Sequence, residues 1–401
     1  MRATHLVLGA LALASALTAC SKESTVEVDR FKELAIVDDE VVLDARSSNA
    51  VNGPWSFRHV FESVMPVGSD NGEMLTAWFT EWVTNEQFNG FPLDTESAAR
   101  ARAGRPDQMN FMMMCPWLHA TPANECNTDC SKCTSRKLDM AAAPFRLAAI
   151  ANRIDLRGKP LTLTQAGEAR FVFGLTSGPA DSPASVPLPL AIIFEFAVPP
   201  EIDAKSWAKR WHALGAHPTF DEAYKNELTA ITDTFLTRSS SRENGSHISQ
   251  VRTNESAFFW VWQMREFRLA ADGRLHSSTV ANTPSLTLNN SDQLEQFIKA
   301  NADAIRSDTH VVPPALLGGS ISVQAPWKLD GLDPALARSF SETTCNGCHA
   351  TTHTGNFKEP FQVSPMRQGR GKLSKFMNDP ENGGNDQLSQ RERDLAAVLG
   401  N

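Results

Sequence analysis

The sequence predicts an α+β protein, a body of mixed helices and sheet followed by a mostly helical tail, and three observations carry that prediction. Strand-like stretches occur at "GEARFVFGLTS", "LPLAIIFEFAV" and "SAFFWVWQMREFRLAADGRLHSSTV". Between them lie segments whose apolar residues recur every three or four positions, the mark of amphipathic helices. The two kinds follow no strict alternation, and no internal repeat is visible.

In chain order, residues 20–49 read as a polar tether and N-terminal segment, and the body spans 50–325. "SFRHVFESVM" sets Phe57, Val60, Phe61 and Val64 on one stripe, and "GEMLTAWFTEWV" does so with Leu75, Phe79 and Trp82. These are two helices packed on each other or on a sheet. Met112, Met113 and Met114 read as core filling rather than copper ligands, because consecutive residues do not share a face. "APFRLAAIANRIDLRG" is an amphipathic run ending at Gly158, before two strand-like stretches separated by a Gly/Pro/Ser turn region. "SWAKRWHALG" and "FDEAYKNELTAITDTFL" are helical, the second with Asp221 in its first turn and Tyr224, Leu228, Ile231 and Phe235 on one stripe. "TRSSSRENGSH" is a loop, Asp272-Gly273 marks a hairpin, and Ser291 can cap the helix "SDQLEQFIKANADAI".

The tail, 326–401, contains Cys345-Asn346-Gly347-Cys348-His349. Upstream, Asp333 can cap a helix, Pro334 suits its first position, and Leu336, Phe340 and Thr343 recur on one face. Two thiols and an imidazole at C-x-x-C-H spacing suit covalent haem attachment, with His349 as proximal iron ligand. They are equally able to form a small disulfide loop or part of a metal site. The segment "DPALARSFSETTCNGCHA" resembles c-type cytochromes over about residues 331–401. That resemblance implies a small, mostly helical cytochrome c-like domain with one covalent haem c on Cys345 and Cys348, transferring electrons. Passing round the haem from His349 takes about ten residues at roughly 3.3 Å each. Met366 and Met377 are therefore within reach as sixth ligand and His353 is not. Met366 follows a proline in a loop, as in cytochrome methionine loops, and is preferred. A haem peroxidase is a weaker expectation, since two-haem peroxidases need a second C-x-x-C-H.

The first nineteen residues combine Arg2, an apolar core from Leu6 to Leu17 and small residues before Cys20, an export signal too short for a membrane span. Leu17-Thr18-Ala19-Cys20 resembles a bacterial lipobox, which implies cleavage before Cys20 and acylation of that cysteine. Ser21 in place of Asp then favours the outer membrane, facing periplasm or cell surface. "APFRLAAIANRIDLRG", "GEARFVFG", "RTNE" and the late C-N-G-C-H together resemble a group of uncharacterised exported lipoproteins that brings no known activity.

Loss of residues 1–19 leaves 37 basic and 46 acidic residues, a balance that excludes nucleic acid as a natural partner. Cys115, Cys126, Cys130 and Cys133 read as two disulfides stapling a loop poor in core-forming residues. Their spacing matches no metal ribbon. No motif of a hydrolase or nucleotide-binding enzyme occurs. The clusters Asn152/Arg153/Asp155/Arg157 and Arg252/Asn254/Glu255 suit internal pairing or a polar ligand, His212 and His217 lie on different faces, and 378–386 is a turn. Arg367, Arg370, Lys372 and Lys375 form a run of cations that would suit an acidic redox partner. The alternative to electron transfer is a non-redox surface lipoprotein that binds a ligand or protein, with Cys345 and Cys348 oxidised to each other or holding a metal.

Overall fold

The structure, a computed structural model, describes residues 26–84, 104–121, 130–133, 137–159, 165–238, 244–257, 262–318, 327–351 and 361–400. At its centre is a seven-stranded antiparallel sheet: β1 Ala35–Ile36, β2 Phe145–Arg153, β3 Glu168–Thr176, β4 Pro187–Ala197, β5 Ile248–Glu255, β6 Gln263–Leu269 and β7 Leu275–Ser278. The strands lie side by side in chain order, every neighbouring pair antiparallel. Together with the helices this makes the α+β class expected. The run read as amphipathic from Ala143 is mostly strand β2, paired from Phe145↔Leu175 to Arg153↔Glu168.

Side chains alternate across a strand, so each strand addresses two layers. Phe145, Phe171, Phe173, Phe194, Phe196 and Phe267 meet the helices α3 Phe57–Val64, α4 Asn71–Thr84 and α7 Glu222–Leu236. Phe57 is the hub, its ring lying 4.6 Å from Phe145, 5.6 Å from Phe173 and 5.9 Å from Phe194. Each such fully buried ring contributes about 1.5–3 kcal/mol of burial. Asp221 caps α7 by accepting from the Tyr224 amide at 2.9 Å. Before α3 come α1 Arg30–Glu33 and α2 Asp39–Val42; between α4 and α7 come α5 Cys115–Ala120 and α6 Ala204–Ala213.

The opposite face of the sheet is covered by the tail. A second apolar cluster joins Leu294, Ile298, Ile305, Val312 and Leu316 to Trp327, Leu329, Leu336 and Phe340. It links α8 Asp292–Ala300 and α9 Ala302–Arg306 to α10 Pro334–Glu342. Next come α11 Cys345–Thr351 and α12 Gln387–Gly400. Phe361, Leu373, Met377, Leu388 and Leu395 belong to the main core with the body's strands and helices. Both apolar clusters thus take in residues from either side of position 326. The N-terminal segment is tied to the tail by ion pairs. Lys372 Nζ donates to Asp39 Oδ1 at 2.6 Å and to the Val37 carbonyl, Arg370 reaches Asp38 at 3.2 Å, and Arg30 pairs with Glu392. No described helix is long and apolar enough to cross a membrane.

Candidate functional site

The motif is held by the end of the preceding helix. Asp333 accepts from the amides of Ala335 and Leu336 and so starts α10, with Pro334 first inside it. At its far end Thr344 Oγ1 donates to the Ser341 carbonyl at 2.8 Å and accepts from Trp327 Nε1 at 3.0 Å and from the Gly347 amide at 3.3 Å. The two helices come so close that a Cβ on Gly347 would lie 2.2 Å from the Ser341 carbonyl oxygen, so only glycine fits. The Cys345 amide donates to Thr283 Oγ1 at 3.1 Å.

This places α11 against the sheet. Cys345 packs on Trp262, Met264 and Val280, and the His349 ring, 6% exposed, lies 4.7 Å from the Trp262 ring at a tilt of 33°. Asn254 on β5 accepts from Trp262 Nε1 at 2.6 Å, so a strand residue fixes the aromatic that backs the histidine. Cys345 and Cys348 are both half-buried and outside any disulfide, and Gln362 Nε2 donates to Cys348 Sγ at 3.8 Å. Burial pushes both thiols up, Cys348 to about 12, so they stay protonated at neutral pH. Neutral thiols are poor metal ligands and poor spontaneous nucleophiles.

Two adjoining cavities lie between tail and sheet. The first, of about 180 Å³, has His349, Cys345, Val363 and Met377 on the tail side and Val172, Ile193 and Met264 on the sheet side. The second, of about 390 Å³, runs toward Lys159, Arg306 and His310. Arg153, Arg170, Arg252, Cys345, Phe376 and Gln387 line both. Across the shared floor runs a ladder of ion pairs. Arg153 grips Asp155 through Nε and Nη2 at 3.0 and 2.8 Å; Arg170 Nη2 lies 2.8 Å from Glu168 and 3.0 Å from Glu195. Arg252 then bridges Glu195 at 3.3 Å and Glu266 at 3.0 Å. Burial opposes ionisation of Asp155, yet Arg153 and Arg391 hold its carboxyl well below the usual range. Burial raises Glu168, and the Glu195 carboxylate adds to the rise.

The expected site residues fare unequally. Cys345, Cys348 and His349 share the short helix α11, with Cys345 and His349 on the first cavity and Cys348 on neither. Met366 lies apart from them: half its surface is exposed and it lines neither cavity, with its loop packed against the C-terminal end of β3. Gly174 on β3 allows that approach, since a Cβ there would fall 2.5 Å from Pro365 Cβ. The buried methionine on the cavity wall is Met377. In the cation run, Lys372 is buried against Asp39, whereas Arg370 and Lys375 are more than half exposed and pair at the surface with Asp38 and Glu381.

Arg153 and Arg252, read as structural pairs, are both paired and cavity-lining, whereas Arg170, Glu168 and Glu195 drew no attention. Their signal was present. Arg170 in "ARFVF" and Glu195 in "IIFEF" are charges alternating with aromatics, which put a charged face behind an apolar one.

Cys115 and Cys130 are disulfide-bonded with Cα atoms 5.5 Å apart, and Cys133 is disulfide-bonded as well; Cys20 and Cys126 lie outside the described residues. His119 completes a Cys115/His119/Cys130 group with donor atoms within 4.8 Å. Bonded to each other, those two sulfurs offer no thiolate to a metal. His212 pairs with Glu33 and His217 with Glu227, each at 2.8–2.9 Å and apart from the other.

Fold and site define an α+β protein with a C-x-x-C-H helix closing a charged cleft on one face of its sheet. No family model matches the chain, and no curated protein or solved structure gives a significant match.

Proposed function

We propose that this is an exported lipoprotein, anchored through Cys20 in the outer membrane, that carries one covalent haem c and passes single electrons. The carrying observation is the unoxidised pair Cys345 and Cys348 with buried His349 on one short helix, Cys345 and His349 lining a cleft, in a chain whose other described cysteines are disulfide-bonded. The donor set fits the group, and the joined cavities fall within the roughly 300–1,000 Å³ of ligand pockets. Cys345 and Cys348 would hold the porphyrin and His349 its iron, with Met377 on the wall of the same cavity. Attachment is an addition without redox change: the sulfur of each thiol bonds one vinyl carbon, its hydrogen goes to the other, and the π bond is lost. When bound, haem supplies a one-electron iron couple whose potential its surroundings set.

Trp262, steadied by Asn254, orients the imidazole, and Val172, Ile193 and Met264 keep that end of the cleft apolar. A redox partner is implied by the function, and the cations at 367–375 are the surface proposed for an acidic one.

The test is a haem stain and reduced pyridine spectrum of protein made in a host with the attachment machinery. One covalent haem per chain is expected, lost in Cys345→Ala/Cys348→Ala. A colourless band whose mass reveals a 345–348 disulfide overturns the proposal and leaves the non-redox surface lipoprotein.

A further inference from the structure

The cleft has an unusual composition for a haem site delivered by a helix. Its floor is not the tail but the central sheet, and the polar groups on that floor come from three strands. Arg153 ends β2, Arg170 sits near the start of β3 and Arg252 lies in the middle of β5. All three share the face opposite the phenylalanine core, with side chains only 15–18% exposed. Strands run about 4.8 Å apart, so Arg153 neighbours Arg170 while Arg252 stands two strand spacings from it. Cys345, the residue that would carry the porphyrin, lines the same two cavities as these arginines.

We infer that the sheet supplies the anion-binding half of the site: Arg153, Arg170 and Arg252 form a carboxylate-binding wall that takes the two propionate groups of the porphyrin. The inference rests on the haem reading and deepens it. A guanidinium has five N–H donors in a rigid fork, more than one carboxylate uses. Arg170 meets both Glu168 and Glu195 through Nη2, and its buried Nε has no hydrogen-bond partner among the described residues. On the far wall His310, 4% exposed, also leaves Nδ1 without one. Lys159, paired with Asp308, and Arg306, paired with Asp303, also line the larger cavity.

The carboxylates already there do not close the wall to a dianion. Glu168 and Glu195 crowd one guanidinium group, and burial makes Glu168 the more ready of the two to take a proton. An arriving carboxylate can then replace Glu168 at Arg170 as that side chain is neutralised.

The test separates this wall from covalent attachment. The full-length Cys345→Ala/Cys348→Ala protein, which keeps His349, is titrated with haemin and with haemin dimethyl ester, followed by the Soret band. Haemin should bind at least tenfold tighter than the ester. Adding Arg153→Gln and Arg252→Gln should cost haemin about tenfold and leave the ester unchanged, which also shows that the variant is folded. Arg268→Gln, at the outer end of the ladder and off both cavity linings, should change neither. Equal affinity for acid and ester, or no binding of either, overturns the wall. Loss of the haem reading itself shows separately, as absence of covalent haem from the unsubstituted chain.

Discussion

Met366 and Met377 differ in burial, and that difference decides which of them can matter to the cleft. Met377 is 5% exposed and part of the core, so Met377→Ala should cost about 2–4 kcal/mol in a denaturant titration. In haem-loaded protein it should also shift the visible spectrum. Met366→Ala should leave stability within about 0.5 kcal/mol and the spectrum unchanged; a spectrum altered by Met366→Ala alone would return the loop residue to the iron. Glu255 makes a second residue-scale case. It accepts from Trp82, Arg105, Arg265 and Thr253 at 2.7–2.9 Å. Burial alone would raise its pKa, but Arg105 and Arg265 prevail and bring it from 4.5 down to about 2. A depressed carboxyl stabilises the fold above its unfolded value and loses that contribution as pH falls through the folded one. Glu255→Gln should therefore cost about 3–5 kcal/mol at pH 7, because two buried guanidinium groups lose their anion. The gap between variant and parent should narrow between about pH 4.5 and pH 2 in urea titrations. A gap independent of pH would show that the cost is one of packing and not of charge.

At the scale of elements, the turn joining α10 to α11 admits no side chain at position 347. Gly347→Ala must push the added methyl into the Ser341 carbonyl or unwind the start of α11. A loss of about 1–3 kcal/mol is expected by thermal unfolding, with less covalent haem per chain; normal stability and loading would mean that the helices part freely. The elements legible in sequence were those with one wet face. Ser291 and Asp333 cap the helices they were read to cap, and Asp221, read as part of the first turn of its helix, caps it instead. The hairpin at Asp272-Gly273 joins β6 to β7, with Gly273 at φ 77°, which glycine adopts without strain. β2 was hidden for a physical reason. Tail and helices cover both its faces, so its alternation fades into "FRLAAIANR", in which a helical period fits as well. The motif pentapeptide was plain because five adjacent residues suffice to show it. The cleft was not, because its floor is assembled from β2, β3 and β5, whose partners are distant in sequence.

For the whole molecule, the sharing of one core by body and tail has a direct test. Leu388, Leu395 and Phe361 are buried among residues of the strands and of α6 and α7. A fragment of residues 326–401 should therefore lack the cooperative unfolding transition of a folded domain in circular dichroism, whereas a self-standing tail would melt sharply. The N-terminal segment should contribute as well: Asp39→Ala leaves Lys372, 6% exposed, with only the Val37 carbonyl and should lower stability by about 1–3 kcal/mol.

The position of the unoxidised pair also sets a timetable. Among the described cysteines, Cys115, Cys130 and Cys133 are in disulfides while Cys345 and Cys348 are not. In the folded chain Cys345 packs against Trp262, Met264 and Val280. On the haem reading proposed above, the pair must meet a porphyrin before an oxidant joins Cys345 to Cys348, so the order of two encounters decides what the chain becomes.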